Sequence, residues 1–80
     1  MRITLYGKLG EAIGREIVCD ELAGCTIAQV RRALAERHPQ VAPDLLSPRV
    51  RACINDAIVG EETIIAPGDV VALLPPVSGG

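Results

Sequence analysis

The sequence is poor in aromatic side chains, with one tyrosine, Tyr6, and no tryptophan or phenylalanine among its 80 residues. Hydrophobic residues nevertheless make up 49% of the chain, so its core must be built from aliphatic side chains. A chain of this length forms one domain and buries about 60% of the surface that it exposes when unfolded. We therefore expect one small aliphatic core.

Cysteine is also sparse, and its spacing excludes several kinds of site. Cys19, Cys25 and Cys53 are separated by long, irregular intervals. Such a pattern matches neither a disulfide framework nor a zinc or iron–sulfur site, which disfavours a ferredoxin. We interpret the cysteines as small buried hydrophobic residues in a reducing compartment, and we expect no bound metal.

Positive charge and long apolar runs are lacking as well. The formal net charge is −2, and the lysines and arginines do not cluster in the sequence, which argues against a nucleic-acid partner. No apolar run approaches the ~20 residues that a membrane-spanning helix needs. The chain enters a strand-like pattern at once and shows no signal peptide. We expect a cytoplasmic protein with no membrane partner.

Alternating and apolar runs predict five strands, at residues 2–6, 15–19, 50–54, 57–59 and 70–74. One helix is predicted between them. Thr26 is a favourable N-cap, Gln29 completes a capping box, and Pro39 ends the helix at or just before His38. Residues 7–14 are bounded by glycines and predict a loop. Residues 39–48 predict an irregular crossover anchored to the core by Leu45 and Leu46.

The order strand, strand, helix, strand, short strand, strand favours an α+β fold of the β-grasp, ubiquitin-like kind. We expect a mixed sheet of four to five strands covered by one main helix, with the last strand central and parallel to the first. Both faces of that last strand are apolar: Val70, Ala72 and Leu74 point one way, Val71 and Leu73 the other. One helix covers one face, so the other face is either covered by loops or open to a partner.

The chain divides into a domain at 1–74 and a tail at 75–80. Pro75 and Pro76 end the last strand, and Gly79 and Gly80 have no side chains to block a narrow channel. Six extended residues reach roughly 20 Å. This end predicts a flexible rod that carries its terminal carboxylate into a partner's pocket. A frayed terminus or an expression remnant is the alternative.

Several runs together resemble the MoaD/ThiS group of sulfur carriers, and within it the small subunit of molybdopterin synthase. These runs are Leu5-Tyr6-Gly7, Leu9-Gly10-Glu11, Arg51-Ala52-Cys53-Ile54-Asn55 and residues 67–80, which end in Pro-Pro-Val-Ser-Gly-Gly. The resemblance covers the whole chain and is strongest over its last thirty residues. One departure is Lys8, which stands where the family often has arginine.

The resemblance implies that Gly80 is the reacting residue, with Gly79 beside it. An E1-like adenylyltransferase would use ATP to adenylate Gly80, and the carrier itself would hold no cofactor. A sulfur donor such as a cysteine desulfurase or rhodanese would then convert Gly80 to a thiocarboxylate.

The resemblance also implies the acceptor. The tail would enter the large subunit of molybdopterin synthase, within a heterotetramer, and give its sulfur to cyclic pyranopterin monophosphate. Leu73, Pro75, Pro76, Val77 and Ser78 would contact the partner. The chain would be a sulfur-donor subunit of a sulfurtransferase and would not be catalytic on its own.

Three alternatives remain at this point. The chain could carry sulfur for thiamine or cysteine synthesis, it could be a ubiquitin-like modifier that forms isopeptide bonds with lysines, or it could be an interaction domain with an inert end. The acceptor distinguishes the first alternative, and adducts at partner lysines distinguish the second. Indifference to loss of Gly79 and Gly80 distinguishes the third.

Overall fold

The computed structural model describes residues 1–76, so the predictions for Val77, Ser78, Gly79 and Gly80 lie outside the described residues. The strands are β1 (Arg2–Leu5), β2 (Glu16–Val18), β3 (Arg51–Ile54), β4 (Ala57–Val59) and β5 (Val70–Leu74). The helices are α1 (Gly7–Ile13), α2 (Ile27–Arg37) and α3 (Ala42–Leu45), with single 3₁₀ turns at Asp20–Leu22 and Pro39–Val41. Within residues 1–76, no helix is long and apolar enough to cross a membrane.

The strands form one mixed sheet in the order β2-β1-β5-β3-β4. β5 is central; it pairs parallel with β1 and antiparallel with β3. The outer pairs, β1 with β2 and β3 with β4, are antiparallel. This is the β-grasp topology, and it confirms the fold predicted from the sequence.

α2 is the main helix, and its start is the predicted capping box. The Thr26 side chain accepts from the backbone N–H of Gln29 at 3.2 Å, and the Gln29 side chain accepts from the backbone N–H of Thr26 at 2.8 Å. One stripe of the helix faces the sheet, where it is almost fully buried. The stripe consists of Ile27, Val30, Arg31, Leu34 and Ala35. Its four apolar members form the aliphatic core together with buried side chains from β1, β3 and β5.

The predicted loop at 7–14 is wrong, because these residues form α1. Gly7 and Gly14 do lie at positive φ, at 57° and 122°, and they bound the helix. Gly10 serves a different purpose, since a Cβ there would meet the Leu5 carbonyl oxygen at 2.7 Å. It allows α1 to pack directly on β1, which brings Leu9 into the core.

We expect Gly10→Ala to lower the free energy of unfolding by about 1–3 kcal/mol, because α1 must move away from the backbone of β1. Gly60→Ala is the control, since a Cβ at Gly60 has nothing within 4 Å. Chemical denaturation of both variants checks this prediction. Equal stability of the two variants would show that α1 does not depend on close approach at Gly10.

The crossover at 39–48 was predicted to be irregular, but it contains a 3₁₀ turn and α3. Two buried side chains, Leu45 and Arg31, attach it to the rest of the domain. Leu45 is buried, as expected, but Leu46 is 50% exposed, so only one of the two predicted anchors is correct. The second anchor, Arg31 of α2, was not predicted from the sequence, and its side chain is buried. Its guanidinium donates to the carbonyl oxygens of Leu45 at 3.0 Å and Ser47 at 3.1 Å, and also to that of Val50. A Glu61 carboxylate lies 2.9 Å from Arg31 Nε and compensates the buried charge.

The start of β5 is fixed by the predicted turn residues. Gly68 has φ 87°, and Asp69 Oδ2 accepts from the Ala66 N–H at 2.9 Å. Asn55, in the β3–β4 turn, joins this turn to the strand. Its side chain donates to Asp69 Oδ1 at 3.2 Å and accepts from the Val70 N–H at 3.1 Å. In the connector before the turn, Ile65 is the buried isoleucine and Ile64 is exposed.

Candidate functional site

The candidate site is the end of β5, where the chain leaves the sheet. Leu73 is paired with Leu5 of β1, and Leu74 is paired with Arg51 of β3. Pro75 and Pro76 follow and are exposed. Because β5 is central, the tail leaves from between two paired strands rather than from a sheet edge.

The first proline is seated against the start of α1. A Cβ added at Gly7 would lie 3.8 Å from both Cβ and Cγ of Pro75, which is an ordinary van der Waals distance, so the proline ring lies beside the start of α1 with room for about one methyl group between them. A groove of about 250 Å³ adjoins this contact, and it is lined by Tyr6, Lys8, Leu9, Asp44, Val50, Pro75 and Pro76. Lys8 Nζ and Asp44 Oδ2 form an ion pair at 3.3 Å that joins α1 to α3 beside the groove. The root of the tail therefore lies beside residues of α1 and α3.

The face of the sheet opposite α2 is open, with apolar residues along its central strand and polar or charged residues on the neighbouring strands. The charged and polar positions on this face are Arg2, Thr4, Glu16 and Arg51. The pairing register places Val70, Ala72 and Leu74 on this open face, together with Val18 of β2 and Ile58 of β4. Val18 is 65% exposed, Ile58 is 68% exposed and Val70 is 41% exposed. Of the two alternatives that the sequence left open, coverage by loops is therefore wrong among the described residues.

The same register corrects the prediction for Leu73. Its side chain is 1% exposed and lies in the core with Val71, on the face toward α2. A partner cannot reach it without unfolding the domain. The side chains available to a partner beside the tail are those of Ala72 and Leu74, both of which are partly exposed.

Cys19 lies in the core and Cys25 packs against it, whereas Cys53 is buried on the other face of the sheet, beside Ala72 and Ile58. All three are free thiols; Cys19 and Cys53 are buried and Cys25 is half-buried. Burial raises the pKa of the Cys19 thiol, with Glu21 adding to the effect. A raised pKa keeps Cys19 protonated at neutral pH and therefore weakly nucleophilic. Within residues 1–76, no three His, Cys, Asp or Glu side chains are grouped to hold a metal ion.

The structure thus brings together only part of the predicted site. Pro75 and Pro76 lie at the exit with Gly7 and Tyr6, which sequence reasoning did not assign to the site. Parallel pairing of the first and last strands was the available signal, since it places the residues after β1 beside those after β5.

A β-grasp domain whose central last strand leads directly into a C-terminal tail defines a class of small carrier and modifier proteins. Residues 3–80 match the sequence model of the ThiS family. The chain belongs to the ThiS family. It is a sulfur carrier of the ThiS/MoaD type or a ubiquitin-like modifier.

Solved structures agree with this assignment. SAMP1 of Haloferax volcanii is 28% identical with a TM-score of 0.76, over 99% of this chain and 97% of that one. The small archaeal modifier protein 1 (SAMP1) of Methanosarcina acetivorans is 26% identical with a TM-score of 0.81, over 99% of this chain and 94% of that one. A putative molybdopterin converting factor, subunit 1, from Pyrococcus furiosus is 20% identical with a TM-score of 0.74, over 95% of each chain. At that identity, the last similarity shows the fold alone.

Proposed function

We propose that this protein carries sulfur for the synthesis of molybdopterin, with Gly80 as the residue that is charged. The observation that carries the proposal is the exit of the chain from the central strand, whose open face presents Val70, Ala72 and Leu74. The Pro-Pro-Val-Ser-Gly-Gly ending, similar to that of molybdopterin synthase small subunits, supports this branch of the family.

The chemistry begins with an unreactive group. A terminal carboxyl has a pKa of about 3.5, so Gly80 is an ionised carboxylate at neutral pH. In the E1-like adenylyltransferase, a carboxylate oxygen attacks the α-phosphorus of ATP and pyrophosphate leaves. The terminal sulfur of a persulfide, supplied by a cysteine desulfurase or rhodanese, then attacks the acyl carbon and AMP leaves. A thiol cleaves the remaining S–S bond, which leaves Gly80 as a thiocarboxylate.

In this chemistry the domain binds the partner and positions Gly80 in the partner's site. The open face, with Val70, Ala72 and Leu74, buries against the large subunit of molybdopterin synthase. The partner's channel is occupied by Pro75, Pro76, Val77 and Ser78. Gly79, which has no side chain, passes through the narrowest part of the channel. Gly80 is then placed against cyclic pyranopterin monophosphate in a site from which water is excluded. The chain supplies the sulfur, and the partner supplies the catalytic groups.

Reconstitution tests the acceptor. Thiocarboxylated protein, mixed with the large subunit from the same organism and cyclic pyranopterin monophosphate, should form molybdopterin in proportion to the carrier consumed. Uncharged protein is the control and should form none. Loss of sulfur from Gly80 without molybdopterin would contradict the proposal and would direct the search to thiamine or cysteine synthesis.

A second candidate, a protein modifier, is favoured by a specific observation. The SAMP1 proteins, at 26% and 28% identity, are more similar to this chain than the converting factor at 20%. A modifier would be adenylated at the same Gly80, but a lysine amine would then displace AMP to form an isopeptide bond. Trypsin cleaves this chain for the last time after Arg51, so a modified lysine would carry residues 52–80. Mass spectrometry of cell proteins for this remnant on lysine separates the two candidates, because a dedicated carrier leaves none.

A further inference from the structure

A second cleft, of about 300 Å³, lies at the root of the tail and is lined by Arg49, Arg51, Pro75 and Pro76. Both arginines are exposed. In the part of the chain that the structure describes, neither arginine forms an ion pair, whereas Lys8 in the neighbouring groove is paired with Asp44. The cleft therefore presents two guanidinium groups whose charge no described carboxylate offsets.

The backbone that carries these arginines is held firmly. Arg51 lies in β3 and is paired with Leu74, the last residue of β5. The Arg49 N–H donates to Ser47 Oγ at 3.2 Å. On the interior side, the buried Arg31 donates hydrogen bonds to the carbonyl oxygens of Ser47 and Val50, which lie on either side of Arg49 in the chain. The two exposed arginines are thus presented from a fixed position beside the tail.

Nearby acidic groups are already engaged. Glu61 and Arg51 both line a third cleft, on the other side of Arg51, but Glu61 is paired with Arg31. At the opposite end of β5 the charge is of the other sign, since Asp56 and Asp69 lie in the turns there. The molecule as a whole carries a net charge of −2. The surface at the tail exit is therefore positively charged although the molecule as a whole is negative. This local charge would turn the tail exit toward an acidic surface on a partner.

We propose that Arg49 and Arg51 bind acidic side chains at the entrance of the channel in the activating enzyme that receives the tail. This inference rests on the proposed function and names the chemistry of the surface that the carrier meets there. The planar fork of an arginine binds a carboxylate through two parallel hydrogen bonds, which gives orientation as well as attraction. The tail reaches roughly 20 Å, so the arginines act in docking and not in the reaction at Gly80.

The test compares two single charge reversals, Arg51→Glu and Arg32→Glu. Arg32 is exposed on α2, lines none of the clefts at the exit and forms no ion pair with another described residue. Binding to the activating enzyme of the source organism is measured by titration calorimetry, and ATP-dependent charging of Gly80 is measured by mass spectrometry. Arg51→Glu should raise both Kd and KM by about tenfold or more, because it places like charges together. Its kcat should stay within about twofold of wild type, since docking alone is changed.

Arg32→Glu should change Kd and KM by no more than about twofold. The difference in Kd and KM between Arg51→Glu and Arg32→Glu should become smaller at high salt, because salt screens the charge–charge interaction. Arg49→Glu, in a loop rather than a strand, repeats the test where strand stability is not involved, and circular dichroism confirms that each variant is folded. Equal effects of Arg51→Glu and Arg32→Glu, or no binding by wild type, would overturn the inference.

The same measurements separate this inference from the proposed function. If wild type binds and is charged while Arg51→Glu behaves like Arg32→Glu, the carrier function stands and the acidic contact is wrong. If wild type binds more tightly than Arg51→Glu but Gly80 is never charged, the acidic contact stands and the carrier function is wrong.

Discussion

Deletion of Gly80 is expected to abolish charging completely while leaving the domain as stable as wild type. The reacting carboxylate would end one residue short of the position that the partner's site requires, and a shift of that size removes the alignment on which such reactions depend. No residue of the described domain has to change, because β5 ends at Leu74 and the tail begins after it. Pyrophosphate exchange with the activating enzyme, measured beside thermal unfolding, checks both parts of the prediction.

Gly79→Leu gives the matched variant, since it keeps the length of the tail and adds a side chain near its end. We expect it to prevent charging as well, because a narrow channel has no room for the added side chain. Ser78→Ala, which removes only a hydroxyl, should retain most of the activity. Sulfur transfer by protein lacking Gly80 would contradict the assignment of Gly80 as the charged residue.

Adjacent positions in β5 are expected to respond in opposite ways to a buried or exposed negative charge. Leu73→Glu should unfold the domain, with a loss of about 4 kcal/mol or more, because it places a carboxylate among aliphatic side chains with no partner. Ala72→Glu lies on the open face, so the domain should stay folded while its affinity for the large subunit of molybdopterin synthase falls by at least about tenfold. Chemical denaturation and titration calorimetry distinguish the two effects.

Arg32→Glu serves again as the control, since it places a glutamate on α2, away from the open face, and changes the net charge by −2, more than the −1 of Ala72→Glu. A folded Leu73→Glu variant would show that the register of β5 is wrong. An Ala72→Glu variant that binds the large subunit as tightly as wild type would show that the open face is not the docking surface.

Much of the fold could be predicted because its signals are local. The capping box of Thr26 and Gln29, the Pro67-Gly68 turn and the alternation along the strands each depend on residues close in sequence. The helix α1 could not be predicted in this way. Glycine is common both in loops and at close backbone contacts. Only the position of β1 shows that Gly10 serves a close contact, between α1 and β1.

Arg31 and Leu73 illustrate two further limits. An arginine within a helix normally lies on the solvent face, and its burial here depends on carbonyl groups that lie 14 to 19 residues away in sequence. For β5, alternation separated the two faces correctly, but both are apolar, so the pattern could not tell which faces α2. The candidate site was predicted from the last residues of the sequence and stays a prediction at Gly79 and Gly80. Its surroundings at Gly7 and Arg51 depend on the pairing of β1 and β3 with β5, which the local pattern does not show.

Whether Gly80 carries sulfur is tested most directly by the intact mass of the protein before and after charging. The protein is incubated with its activating enzyme, ATP and a sulfide source. We expect a mass change equal to one oxygen replaced by sulfur, located at Gly80 by fragmentation and absent without ATP. An unchanged mass, under conditions that charge another member of the family, would contradict this expectation.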